Sequence, residues 1–453
     1  MSLVPPLDPG FRSEADFAAR YRKRVALSGR GEPLVLGLER EEGRFSRFET
    51  LVDPCDPDTP RYAERWAKFL LWSRGGWRLV LGGPTAVVQP LAAAFRSGGR
   101  RQFDAELMER AYRRPFSVVT GGPGIVPAAR EAAAPLGGHL DGCRLGFDLG
   151  ASDFKIAAVR DGDVVFSQEF PWNPRVEPDP RYHWDHLCSG LRAAAAALPR
   201  VDAIGGSSAG VIVENEIRVA SLFRAVSPDD FDAQVRGMFG RLQREFGVPV
   251  VVANDGEVTA LAGAMALGVT GLLGIAMGSS EASGYIDRAG RLTGWLNELA
   301  FAPVDANPSA APDEWSGDRG VGALYFSQQA VNRLLPASGV PFHVALGLPE
   351  RLKQVQERME AGDSGAVAIF ESIGVYLAHA IDWYSGFYDF EHLLVLGRVT
   401  SGAGGERLVE TARRVLDLEF PERAARVTIH VPDERTRRVG QAVAAASLPR
   451  IPR

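Results

Sequence analysis

The chain has 453 residues, 45% hydrophobic and 24% charged, with a formal net charge of -5. This is ordinary for a globular protein of two or three domains, and the absence of long like-charge runs excludes a chain whose main task is coating nucleic acid. Three cysteines, Cys55, Cys143 and Cys188, lie far apart with no CxxC pair, which predicts free thiols in a reducing compartment and no zinc site built on them. The N-terminus lacks a signal-like apolar region and no stretch reads as a bilayer span, so a cytoplasmic location and no membrane partner are expected.

In chain order, a Pro-rich start gives way to a helix in "SEADFAARYRKRVAL". "EPLVLGLEREEGRFSRFETLVD" holds two strand-like runs around a turn. "TPRYAERWAKFLLWSRGG" has a Thr-Pro start, apolar residues at helical spacing and a Gly-Gly stop. A strand in "WRLVLGG" and a helix in "AVVQPLAAAFRSGG" complete an N-terminal α/β region over residues 1–140.

From Cys143 the pattern changes. "RLGFDLGASDFKIAAVRDGDVVFSQEF" reads as two strands with a turn carrying Asp148, Gly150, Ser152 and Lys155. Helix and strand then alternate through "DAIGGSSAGVIV" and "VPVVVAND" to the Ala-rich helix "EVTALAGAMALG". A second hairpin, "GLLGIAMGSSEASGYIDRAGRLTGW", precedes a Pro-rich loop and a mostly helical stretch. The chain closes with "HLLVLGRVTSGAGG", a helix, the strand "RVTIHV" and a last helix. Two α/β lobes, over 141–262 and 263–453, are implied, with the last helix returning to the first lobe. Each hairpin turn offers backbone N–H groups and small residues to a charged ligand. The paired histidines of "HWDH", His183 and His186, lack a third ligand and are not expected to hold a metal.

The order of these segments resembles the actin/hexokinase/heat-shock ATPase superfold (ribonuclease H-like) and, within it, the ROK family of bacterial sugar kinases and sugar-responsive repressors. The resemblance covers roughly residues 143 to 448. It implies a two-lobed ATPase fold with an extra N-terminal α/β region, and an ATP- and magnesium-dependent phosphotransfer to a sugar hydroxyl. "DLGASDFK" is similar to the family's first phosphate motif, matching at Asp148, Gly150, Ser152 and Lys155; a glycine admits a phosphate close to the backbone, and the aspartate can hold magnesium through water. In "VVVAND", Asn254 and Asp255 match the family's Asn-Asp, whose aspartate is the general base; both residue types also favour helix N-caps. Gly210 resembles the glycine beside the sugar.

"GSSEASG" matches the second phosphate motif at Gly278, Ser279 and Gly284 but departs from it at Ser280, Ala282 and Ser283 and places Glu281 in a turn that should face a polyanion. In "LNELAFAPVD", Glu298 stands at the sugar-binding glutamate and Phe301 where the family has a zinc-linked histidine. The Cys-rich zinc motif is absent, so no structural zinc is expected, and Ala323 stands where a further sugar-contacting glutamate is expected. A sugar hydroxyl left unpaired in a buried site costs about 1–3 kcal/mol. Gly397 keeps the adenosine-turn glycine and Arg398 replaces the next one. No helix-turn-helix is read in residues 1–140, so DNA binding is not expected. The resemblance implies a nucleotide and a sugar or sugar-like molecule as ligands and leaves a homodimer open. The alternatives are a catalytically silent sugar- or nucleotide-binding sensor or partner protein, favoured by Glu281, Phe301, Ala323 and Arg398, and a phosphotransferase acting on a non-sugar alcohol.

Overall fold

Capping and strand chemistry organise the N-terminal region. In the computed structural model, which describes residues 3–131, 137–150, 153–432 and 434–452, the Ser13 side chain accepts a hydrogen bond from the Asp16 N–H and starts the helix Glu14–Ser28, which stops at left-handed Gly29. Strands β1 (Glu32–Glu39) and β2 (Phe45–Val52) pair antiparallel from Glu32↔Val52 to Glu39↔Phe45. The helix Thr59–Arg74 buries Trp66, Phe69, Leu70 and Trp72. Strand β3 (Arg78–Gly82) runs antiparallel to β1, and β4 (Ser117–Gly121) runs parallel to β3, giving the order β2-β1-β3-β4.

A five-stranded sheet follows, in the order β11-β8-β5-β6-β7. It comprises β5 (Cys143–Leu149), β6 (Asp153–Arg160), β7 (Asp163–Pro171), β8 (Ala203–Ser208) and β11 (Val250–Asn254). A small hairpin of β9 (Val211–Val213) and β10 (Glu216–Val219) lies between β8 and β11 in sequence. Strands β5, β8 and β11 are parallel to one another, and β5, β6 and β7 form an antiparallel meander. The stretch read as two strands is therefore three. β7 is mostly exposed, so its apolar signal is weak.

The last helix, Glu434–Ala446, packs on β5, β6, β8 and the helix Asp255–Leu267. Glycines permit its close approach. A Cβ added at Gly146 of β5 would lie 1.8 Å from the Ala442 carbonyl oxygen, and one at Gly205 of β8 1.7 Å from that of Ala445.

The fourth sheet, in the order β13-β12-β14-β15, uses β12 (Leu272–Met277), β13 (Glu281–Ile286), β14 (His392–Leu396) and β15 (Thr428–His430), the last two parallel. By length and apolarity the helix Ser364–Tyr384 does meet the requirement of a membrane span, contrary to the expectation that no stretch would. It is a core helix: Ile369, Phe370, Ile373, Leu377, Ile381 and Trp383 are buried, and it packs along the helix Gly402–Glu419.

The chain divides into two compact units. One comprises Met1–Ala132, Ile275–Ser283 and Trp295–Val431; the other comprises Ala133–Gly274, Gly284–Gly294 and Pro432–Arg453. The N-terminal region thus shares a unit with 295–431. Within it the buried Lys68 ammonium lies 2.7 Å from Asp104 and 2.6 Å from Asp318, and Arg101 lies 2.6 Å from Asp318. Such buried charges persist only when each finds partners, and here each does.

The glycine faces generate a direct prediction. Gly205→Ala will lower the unfolding free energy by about 1–3 kcal/mol through overpacking, whereas Gly237→Ala, with no atom within 4 Å of its added Cβ, will not. Equal melting temperatures for the two variants would contradict the close approach.

Candidate functional site

Three parallel strand ends bring the second unit's polar residues together. The register pairs Asp148 of β5 with Ser207 of β8, and Ser207 with Ala253 of β11; one step on, Leu149, Ser208 and Asn254 align. Asp255 follows as the first residue of its helix. The carboxyl ends of parallel strands are where ligands bind in α/β sheets.

Asp148 is buried, and the Ser207 hydroxyl donates to its Oδ1 at 2.6 Å. Burial pushes its carboxyl above the usual range, opposed by the Ser207 hydrogen bond and by Lys155. Lys155 faces Asp148 across the β5–β6 pairing and lies 3.5 Å from Asp153. Asp255 keeps some solvent-accessible surface but sits among enough protein to be largely desolvated. Burial first, and the like charge of Asp148 second, push it up to about 6.

Asn254 is the helix cap: its Oδ1 accepts from the Gly256 N–H at 2.8 Å, and its Nδ2 donates to the Gly210 carbonyl at 2.7 Å. Gly210 has φ 109°, and a Cβ there would meet the Val219 carbonyl. Gly150 donates its N–H to the Asp153 carbonyl at 3.0 Å, closing the β5–β6 turn. Ser152 lies outside the described residues. Two further residues belong to this group. Ser207 has no motif of its own. Glu257 accepts from the Asn254 backbone N–H and is pushed up by burial to about 7; the spacing Asn254-x-x-Glu257 is a capping-box pattern that would have flagged it.

The donor set suits magnesium. Hard carboxylate oxygens from one or two residues, with the rest of the shell left to water and phosphate, are its usual protein contribution. Among the described residues no cluster of three or more His, Cys, Asp or Glu forms a protein-only metal cage. His183 and His186 each bond a backbone carbonyl, of Pro174 and Tyr182.

In the first unit, Gly278 and the exposed Ser279 and Ser280 form the β12–β13 turn, and the Gly278 carbonyl accepts from the Gln328 N–H at 2.9 Å. Gly397 has φ 104° and abuts the Met277 backbone, while Arg398 is exposed. Glu281 is not an exposed charge on the turn. Its carboxyl is buried, accepts from the Ser283 hydroxyl at 3.4 Å, and would lie 2.2 Å from a Cβ at Gly322. Burial, with Glu298 as a lesser contributor, pushes it up to about 8, so it is predominantly protonated and neutral at pH 7.

Glu298 directly precedes the turn Leu299–Phe301, and its N–H donates to the Trp72 carbonyl at 3.0 Å. The Phe301 ring lies 4.5 Å from that of Trp72 and 5.6 Å from that of Phe103. Ala323 is buried. In the second unit, Gly284 packs against the first turn of the helix Asp255–Leu267, where a Cβ would lie 2.2 Å from the Gly256 carbonyl oxygen.

Because Glu281 keeps its proton to about pH 8 in the fold and only to about 4.5 when exposed, its contribution to stability is full below about 4.5 and is lost as pH rises towards 8. Glu281→Gln should therefore flatten the fall in melting temperature between pH 5 and 9. A variant with the wild-type slope would show that Glu281 is not the buried acid responsible.

No protein-family model and no curated protein matches the chain. Solved structures do. A ROK hexokinase from Thermus thermophilus is 18% identical, with a TM-score of 0.52 over 67% of this chain and 97% of that one. A ROK-family glucokinase from Streptomyces griseus, in complex with glucose and AMPPNP, is 19% identical, with a TM-score of 0.50 over 67% and 98%. A ROK-family transcriptional regulator, a homologue of the E. coli MLC protein, is 18% identical, with a TM-score of 0.52 over 68% and 78%. At these identities the likeness establishes the fold: the chain is built on the actin/hexokinase-like fold of the ROK sugar kinases and regulators.

Proposed function

We propose that the protein is a divergent ROK-family, ATP-dependent phosphotransferase acting on a sugar hydroxyl, with Asp255 as general base. The observation that carries this reading is the pair Asp148 and Asp255 at the carboxyl ends of β5 and β11, the two strands that flank β8, with Asp255 pushed up to about 6. A carboxylate near that value is largely ionised at pH 7 yet basic enough to accept a hydroxyl proton as the phosphoryl acceptor attacks. Asn254 and Gly210 shape the acceptor's surroundings, and Glu298 is the proposed acceptor for sugar hydroxyl hydrogens.

Asp148, held by Ser207, would hold magnesium through water, and Lys155, Gly150, Ser152, Gly278, Ser279, Gly284, Gly397 and Arg398 are the proposed nucleotide contacts. Magnesium, when bound, neutralises charge on the transferring phosphoryl group. The neutral state of Glu281 removes the repulsion that a charged carboxylate in the phosphate turn would exert. ATP as donor fits a cytoplasmic setting.

A second reading, a catalytically silent sensor, is favoured by Phe301 and Ala323, which offer no polar partner to a sugar. One of the similar folds is a regulator, so the fold alone does not choose. The carboxylate pair favours the enzyme.

With ATP, magnesium and a panel of sugars, ADP release should rise with pH through about 6 as Asp255 ionises. Asp255→Asn keeps the helix cap but loses the proton acceptor, so kcat should fall about 10²–10⁴-fold with sugar binding little changed. A full rate in Asp255→Asn would sink the assignment, and absence of both nucleotide binding and turnover would sink the enzyme reading.

A further inference from the structure

The segment after Phe301 presents a tryptophan to solvent on a braced turn. Trp315 is 67% exposed. The Asp313 carboxylate accepts from the Trp315 N–H at 3.1 Å, from the Ser316 N–H at 2.8 Å and from the Ser316 hydroxyl at 2.8 Å. The Asp313 N–H donates to the Asp318 carbonyl at 2.7 Å, and the Asp318 side chain is fastened to Lys68 and Arg101. Pro312 and Arg319 bridge the base of the turn.

Trp315 also continues a stack. Its ring lies 6.4 Å from that of Phe301 at an interplanar angle of 28°, and Phe301 lies 4.5 Å from buried Trp72 at 32°. Single exposed apolar residues need no explanation. An exposed tryptophan ending an aromatic stack, on a turn held by a buried ion network, is a different case. Phe301, in the middle of the stack, lies in the turn that directly follows Glu298. Phe301 and Ala323 withhold hydrogen bonds there, while a flat apolar face is added at the outer end.

We infer that Trp315 is a specificity-determining residue that stacks on a second ring of the acceptor, beyond the sugar held at Glu298. The substrate class is a two-ring saccharide or glycoside rather than a free monosaccharide, and the inference rests on the sugar-acceptor reading of the Glu298 site. The shared chemistry is a flat apolar ring face, supplied by a second pyranose or by an aryl aglycone. The rigid turn lowers the ordering cost of that contact.

Calorimetric binding of glucose, a glucose disaccharide and phenyl glucoside to the full chain tests it, with ADP release followed in parallel. At least one two-ring ligand should bind the wild type about 3- to 10-fold more tightly than glucose. Trp315→Ala should abolish that margin without changing glucose affinity, and Trp315→Phe should retain most of it. Whichever ligand shows the margin identifies the ring as sugar or aglycone. Equal affinities in wild type and Trp315→Ala, or no binding of either two-ring ligand, would overturn the inference. A Trp315-dependent margin without ADP release sinks phosphotransfer and leaves the stacking contact standing; ADP release with no effect of Trp315 does the reverse.

Discussion

The in-register alignment of β5, β8 and β11 is the constraint on which the candidate site depends. It carries Asp148, Ser207 and Asn254 to the carboxyl ends of neighbouring strands and starts the next helix at Asp255. A slip of one residue would turn Asp148 to the opposite face and break its hydrogen bond with Ser207. The glycines at 146 and 205 belong to the same constraint. They let the backbone of the last helix rest on these strands, so residues near the C-terminus hold a site whose first carboxylate is Asp148.

Electrostatics follows from that alignment. Two carboxyl groups, at the ends of β5 and β11, are poorly solvated, and both are pushed up. In the first unit a buried acid is instead kept neutral, because Glu281 is enclosed with Ser283 and faces Gly322. There the N-terminal region takes on a supporting role. Trp72 covers Phe301, and Lys68 and Arg101 hold Asp318, so the stretch from Glu298 to Val321 is braced by aromatic and ionic contacts. These contacts secure a stretch in which the sequence lacks the cysteines of a zinc cluster.

Much of the second unit's site was legible in the sequence. Apolar runs ending at Asp148 and at Asn254-Asp255 announced buried strands with polar tips, and Asn254 carried the mark of a helix cap. Ser207 was not legible, because its bond to Asp148 arises from strand pairing across 59 residues. Glu281 was misleading in sequence. Its neighbours suggested an exposed turn, but it opens β13, a mostly buried strand, and burial removes the charge that made it look incompatible with phosphate. β7 was hidden by its exposure, and the helix Ser364–Tyr384 shows that a core helix can match a membrane span in composition. Trp72, which packs on Phe301, is over two hundred residues away in sequence, in a region the motifs did not reach.

Asp255 owes its raised basicity to burial and to the neighbouring charge of Asp148. Side-chain carboxyl titration by carbon NMR, in the wild type and in Asp148→Asn, tests this most directly. Asp255 should titrate with a midpoint near 6 in the wild type and lower in Asp148→Asn, because the like charge is gone while burial remains. A wild-type midpoint in the ordinary carboxylate range near 4, or one near 6 that does not move in Asp148→Asn, would contradict it.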